Sequence, residues 1–314
     1  MILSFFFIAV GVGLLYAGAE MLVRGSVALS KKFRVTPLLV GLIVIGLGTS
    51  SPELVVSVEA AVMGNGELAI GNIIGSNISN LALILGIAAL IYPVSADKTL
   101  MRLEIPVLVV ASVMLTWMLL DNVLSLVNSL LLLSFLGGYL FFTIKNNIMP
   151  RTDEIETTII HKKTSIIALI TVAGLLLLVI GAHIMVKGAS ELAVIFGIGE
   201  GIIGLTVVAV GTSLPELAMV VVASMKKQGE LILGALIGSN ILNILFVLGT
   251  TGAVAYLIGG DMPLRDIITP DLIVMTALAF LMIPVIFTRN QVSRLEGGVL
   301  FACYIGYIAW LFIR

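Results

Sequence analysis

Two glutamates inside long apolar runs carry the first chemical signal. Glu53 stands in GTSSPEL at 48–54 and Glu216 in GTSLPEL at 211–217. The runs around them, 36–63 and 200–225, are long enough to cross a bilayer as helices. A charged side chain at the bilayer centre costs roughly 2.5–3.5 kcal/mol on insertion scales. No Lys or Arg lies deep in any apolar run to offset it. Two readings follow. Each glutamate is protonated and bonded to helix backbone, or the pair holds a cation.

The neighbours favour the cation. Pro52 and Pro215 lack an N–H and clash with the preceding turn. Gly48 and Gly211 loosen the same stretch. A helix broken there frees carbonyls such as those of Gly46, Thr49, Ala209 and Thr212. Free carbonyls at membrane depth are tolerated where they line a cavity or bind an ion. Thr49, Ser50, Thr212 and Ser213 add hydroxyls. GNIIGSNISN at 71–80 and GALIGSNILN at 234–243 add Ser76, Asn77, Asn80, Ser239, Asn240 and Asn243. The ligands on offer are oxygens, which suits Ca2+ or Na+ and poorly suits Zn2+ or copper. For any one Ser or Thr, bonding to its own helix is an equally good explanation. Duplication of the whole set favours a site.

Other chemistry has no parts. One cysteine, Cys303, rules out an internal disulfide and reads as a small packing residue in an apolar run. Two histidines, His161 and His183, cannot build a multi-His centre, and no HExxH is present. Seventeen basic and eighteen acidic residues nearly cancel, so no basic face invites nucleic acid. Glu59 lies six residues from Glu53, about 240° round the helix, and should miss the site. Glu67 and Glu230 are matched and read as first-turn residues of the next helices, or as cation attractors at opposite entrances. Glu20 and His183 are matched near span ends and read as interfacial.

The elements that must position these groups are membrane helices. Apolar residues make up 60% of the 314 and charged residues 11%, too few charges to cover a water-soluble fold of this size. Ten spans are expected, near 2–23, 36–63, 68–92, 104–120, 123–144, 165–187, 200–225, 231–257, 268–288 and 295–313. Strands are not expected, because the runs do not alternate as in a membrane barrel. The first run lacks a basic n-region and reads as a span that stays, not as a cleaved signal. With ten spans, thirteen of the seventeen basic residues fall in loops on one side. That side is then cytoplasmic and both termini face outward, in a multi-pass protein of the cell membrane.

The chain is also a duplication. Residues 16–86 align without a gap onto 179–249 at a constant offset of 163, with 29 identities in 71 positions. Five spans fall in each half, 1–144 and 165–314, with a polar linker at 145–164. An odd number of spans forces the second half to enter from the opposite side, so the repeats are inverted. Inverted repeats with a mid-membrane site are a recurring architecture of secondary transporters. Gly71 with Gly75, and Gly234 with Gly238, have the GxxxG spacing that lets helices press close.

These paired motifs resemble the two alpha repeats of the cation/calcium exchanger superfamily, and most of all its prokaryotic sodium/calcium exchanger branch. The resemblance implies an all-α protein that exchanges Ca2+ for Na+ by alternating access. It places ligands at Glu53, Glu216, Thr49, Ser50, Thr212, Ser213, Ser76 and Ser239, and at the carbonyls of Gly46 and Ala209. Asn80 and Asn243 join that set, although some relatives carry Asp at one of the two positions. It also implies that the first and sixth spans slide across the other eight. With two Asn, the site has two formal negative charges, enough for one Ca2+, whereas three Na+ would leave +1. Proton-driven Ca2+ exchange in the same fold is the runner-up, and a cation channel is a more distant reading. No enzyme activity, cofactor or protein partner is implied beyond the ions and the lipid bilayer.

Overall fold

The computed structural model describes residues 1–95, 98–146, 163–196, 209–264, 269–284 and 291–313. Ten helical rods run through them. In the first half, α1 is Ile2–Phe33. Helix α2 is a bent pair, Pro37–Thr49 and Ser51–Val62, with 42° between its halves. Then come α3 at Gly66–Ile91, α4 at Lys98–Met118 and α5 at Leu126–Asn146. In the second half, α6 is Thr164–Ile195. The described pieces of α7 are Ala209–Thr212 and Leu214–Met225. They are followed by α8 at Gly229–Gly259, α9 at Thr269–Leu281 and α10 at Arg294–Ile313. The start of the seventh span, most of the linker with His161, and the end of the ninth span lie outside the described residues.

Helices α1 and α6 run well past the expected ends at 23 and 187. Each has 32 residues, about 48 Å at 1.5 Å per residue, against a hydrocarbon core of ~30 Å. An apolar run marks where lipid ends, whereas a helix continues as long as its backbone bonds are made. Lys31 and Lys32 lie inside the last turn of α1, where cations suit the helix dipole. The helix stops one step later, at Arg34, in the left-handed conformation (φ 55°).

The pairing of α1 with α6 displays the inversion. Glycines recur every seven residues on both, at 11, 18 and 25 and at 174, 181 and 188. A Cβ on Gly11 would meet the Gly181 carbonyl, and one on Gly18 the Gly174 carbonyl, each at 2.8 Å. A Cβ on Gly188 would meet the Ser4 carbonyl at 2.7 Å. Contact positions on one helix rise as those on the other fall, so the two equivalent helices are antiparallel. The small residues bring the backbones together where apolar bulk would hold them apart.

Helices α3 and α8 form the centre. In α8, 94% of the apolar window is buried, against 22% in α5, whose outer face meets lipid. The GxxxG glycines of α8 work as expected. A Cβ on Gly238 would meet Leu42 Cα at 2.7 Å, and Gly234 lies against the Leu38 backbone of α2. Gly75 of α3 meets nothing within 4 Å among the described residues. Residues Gly41–Gly46, Ser79–Ile84 and Asn243–Leu248 are π-helical, a widened turn frequent at functional sites.

Strands do occur, as two-residue ribbons between loops. Val94–Ser95 pairs antiparallel with Gln291–Val292, and Val123–Leu124 with Met262–Pro263. The loop carbonyls and amides find partners there without a membrane-crossing sheet. Cys303 is a second difference. It is exposed on α10, because an apolar side chain in a membrane helix can face lipid as well as the core.

The seam between α1 and α6 yields a stability test. Gly18→Val pushes side-chain atoms into the Gly174 and Leu178 backbone, whereas Gly13→Val enters open space on the same helix. Overpacking of this kind costs about 1–3 kcal/mol. Gly18→Val should lower the melting temperature of the detergent-purified protein and Gly13→Val should leave it within error.

Candidate ion site

Glu53 and Glu216 are both buried, at 1% and 2% exposure. Each is the third residue of a half-helix, Ser51–Val62 or Leu214–Met225, with a proline just before it. Proline suits a first helical turn because its missing N–H is not needed there. A carboxylate in that turn also faces the positive end of the helix dipole. Each glutamate's own backbone amide lies in reach of its carboxylate. The ladder resumes one residue on, with Leu54 N–H to Ser50 O at 3.1 Å and Leu217 N–H to Ser213 O at 3.0 Å.

Ser50 and Glu53, like Ser213 and Glu216, have the S-x-x-E spacing of a capping box. Neither serine makes the side-chain capping bond. The Ser50 hydroxyl is buried without a partner. The groups that would ordinarily close the helix end are therefore left for something else.

The two repeats exchange their threonines. The Thr212 hydroxyl of α7 and the Ser76 hydroxyl of α3 lie in bonding reach of the Glu53 carboxylate of α2. The Thr49 hydroxyl of α2 lies in bonding reach of Glu216 in α7. Thr49 also donates to Ile45 O at 3.0 Å, and its one proton serves one acceptor at a time. The carboxylates are near enough for their charges to repel. Among the described residues no Lys or Arg is buried with them.

Six oxygens in this region are buried and have no hydrogen-bond partner. They are Ser50 Oγ, Glu53 Oε2, Asn80 Oδ1, Glu216 Oε2, Ser239 Oγ and Asn243 Oδ1. They come from α2, α3, α7 and α8. Ser76 and Asn80 share a face of α3 at i, i+4 spacing, as Ser239 and Asn243 do on α8. Leaving such atoms bare costs about 1–3 kcal/mol each. Oxygens of this kind are the partners that a hard cation takes. No group of three His, Cys, Asp or Glu side chains occurs among the described residues. Two carboxylates with neutral oxygens make a site for Ca2+ or Na+ and a poor one for a transition metal.

Of the expected set, Glu53, Glu216, Thr49, Thr212 and Ser76 come together around the two helix breaks. Ser213 is buried at the α7 break. The Gly46 carbonyl is not freed by the break: it accepts Ser50 N–H at 3.0 Å and keeps one lone pair. Ala209 opens the described part of α7. Asn77 and Asn240, counted among the oxygens from sequence, turn toward each other. Thr212 also lines a cavity of about 190 Å³ with Pro52, His183 and Pro215, so that cavity adjoins the site.

The remaining charges sort as follows. Glu59 is exposed, whereas Glu53 on the same half-helix is buried. Glu67 and Glu230 occupy first turns, of α3 and α8. Glu20 is tied to Arg24 at 2.5 Å and to Lys226 at 2.6 Å, linking α1 to the turn after α7. Two buried carboxylates were not singled out from sequence. Glu104 of α4 lies near Tyr139 of α5, and Asp271 of α9 accepts the Tyr307 hydroxyl of α10 at 2.9 Å. Each is an acid at the head of the fourth span of its repeat, and that recurrence was the available signal.

The sodium/calcium exchanger protein family matches residues 3–145 and 166–313. The chain belongs to this family. The exchanger is 29% identical to the sodium/calcium exchanger MaX1 of Methanosarcina acetivorans, over 98% of each chain. It is 34% identical to the inner membrane protein YrbG of Escherichia coli, over 79% of each. Its fold superposes on the sodium-calcium exchanger NCX_Mj, soaked with Na+ and Sr2+, with a TM-score of 0.86, 31% identity and 98% of each chain covered. The exchanger is a multi-pass membrane antiporter that moves Ca2+ against Na+.

Charge separates the two ions at this site. Glu216→Gln keeps the shape and removes one charge, and at equal distance the lost attraction is twice as large for Ca2+ as for Na+. Ca2+ affinity should fall at least about tenfold, and Na+ affinity less, in calorimetric titrations of the purified protein. Protons compete with cations for a carboxylate. The apparent Ca2+ dissociation constant should therefore rise as pH falls, and binding that is unchanged down to about pH 4 would count against carboxylate ligation.

Proposed function

We propose that Na+ and Ca2+ take turns at one mid-membrane site built by both repeats. Its ligands are Glu53, Glu216, Thr49, Thr212, Ser50, Ser213, Ser76, Ser239, Asn80 and Asn243, with the carbonyls of Gly46 and Ala209. The carrying observation is the set of six buried, unpartnered oxygens, two of them on the Glu53 and Glu216 carboxylates, with no Lys or Arg buried beside them among the described residues. Ions shared by one ligand set exclude each other, and exclusion is what couples their movements. The transported ions act as cargo, not as cofactors.

The proposal extends to organisation. Repeats 1–144 and 165–314 flank a cytoplasmic linker at 145–164, in the cell membrane, with both termini outside. Two groups of loops support this orientation. Ser95 pairs with Gln291 and touches Gly229, while Val123 pairs with Pro263 and Gly66 lies against Met262. The first group adjoins Lys98, Lys226, Lys227 and Arg294 in sequence, and the positive-inside rule favours the cytoplasmic side for such loops.

A flux experiment tests coupling. Proteoliposomes loaded with Na+ and diluted into Na+-free buffer should accumulate 45Ca, and a proton ionophore should not abolish this. Accumulation that requires a pH gradient would make the protein a proton-coupled exchanger. Simple equilibration of Ca2+ under every gradient would make it a channel.

A further inference from the structure

The asparagines at the centre of the molecule form a closed set with a fixed polarity. Asn77 Nδ2 donates to Asn240 O at 3.3 Å, and Asn240 Nδ2 donates to Asn77 O at 3.2 Å. Asn243 Nδ2 donates to Asn77 Oδ1, and Asn80 Nδ2 to Asn240 Oδ1, both at 3.0 Å. Each bond in one repeat has its counterpart in the other, across the junction of α3 and α8.

An amide can usually be flipped, exchanging its oxygen and nitrogen, with little to decide between the two. Here the backbone decides. A peptide carbonyl only accepts, so Asn77 and Asn240 must each turn their NH2 toward the other's main chain. Asn77 Nδ2 also lies 3.7 Å from Met275 Sδ, an acceptor only. Their Oδ1 atoms are thereby committed to face Asn243 and Asn80. Those two must answer with NH2, which leaves their own Oδ1 atoms buried and unpartnered. Flipping Asn243 alone would set two amide oxygens against each other.

We propose that Asn77 and Asn240 are positioning residues for ion binding. They lock Asn243 and Asn80 in the orientation that presents oxygen, not NH2, to the cation. The proposal rests on the ion-site reading above. It explains how two neutral amides serve a site for cations, since a flipped amide would repel the ion it should bind. Partners of this kind, one bond removed from a metal, typically change its affinity roughly 10–100-fold when removed.

The test uses substitution cycles on the full-length protein in nanodiscs, with Ca2+ binding followed by calorimetry. Asn77→Ala releases Asn243 and should weaken Ca2+ binding by about tenfold or more. Asn243→Asp removes the need for orientation, because a carboxylate offers two equivalent oxygens. The cost of Asn77→Ala should therefore shrink or reverse in the Asn243→Asp background. Asn240→Ala with Asn80→Asp provides a second, independent cycle should one variant fail to fold. An equal cost in both backgrounds would reduce Asn77 to a structural role and overturn the proposal, as would no cost at all. Glu216→Gln in the same assay separates the two claims. If it too keeps wild-type binding, the site reading fails; if it loses binding while Asn77→Ala does not, only the positioning role fails.

Discussion

Two carboxylates buried in an apolar bundle, with no protein cation buried beside them among the described residues, set the terms for everything around them. Their repulsion and desolvation would be costly if the site served only the fold. Hydroxyls exchanged between repeats and oxygens left without partners make sense around an ion that arrives and leaves. A site fully satisfied by the protein would bind no ion, and one with a built-in Lys or Arg would compete with it.

The inverted duplication sets two equivalent broken helices against two equivalent central helices, so each carboxylate answers to a threonine of the opposite half. The same symmetry governs the periphery. Glycines at seven-residue spacing meet along the antiparallel α1 and α6, and short ribbons pair the loops of one repeat with those of the other. The symmetry is not complete. Glu20 is tied to Lys226, whereas the matched positions are His183 and Met63. That ion pair therefore has no counterpart at the matched positions of the other repeat.

Polar groups at the centre divide by what the backbone leaves them. Asn77 and Asn240 spend their donors on each other's main chain, and this choice propagates outward to Asn80 and Asn243. Low local dielectric makes such a network costly to break and so fixes its polarity. In this way a constraint on main-chain carbonyls reaches the atoms offered to the ion without any charge being added.

The sequence alone determined the architecture. Continuous apolar runs could cross the membrane only as helices, since each backbone group must be satisfied within its own segment. The constant offset of 163 with five spans per half made the repeats inverted, and the Glu, Ser, Thr and Asn at matched positions in apolar runs marked a candidate site. Helix ends were not legible, because hydropathy reports contact with lipid and α1 and α6 continue beyond it. Nor was it legible that Cys303 faces outward, or that Glu104 and Asp271 are buried against tyrosines. Composition cannot distinguish a face toward lipid from a face toward protein. The resemblance already set Asn80 and Asn243 apart from Asn77 and Asn240, and the tertiary structure supplied the physical difference, since only the first two keep side-chain oxygens without partners. All four are asparagines in the same duplicated motif, and their hydrogen bonding diverges through which atoms the opposite repeat brings within reach.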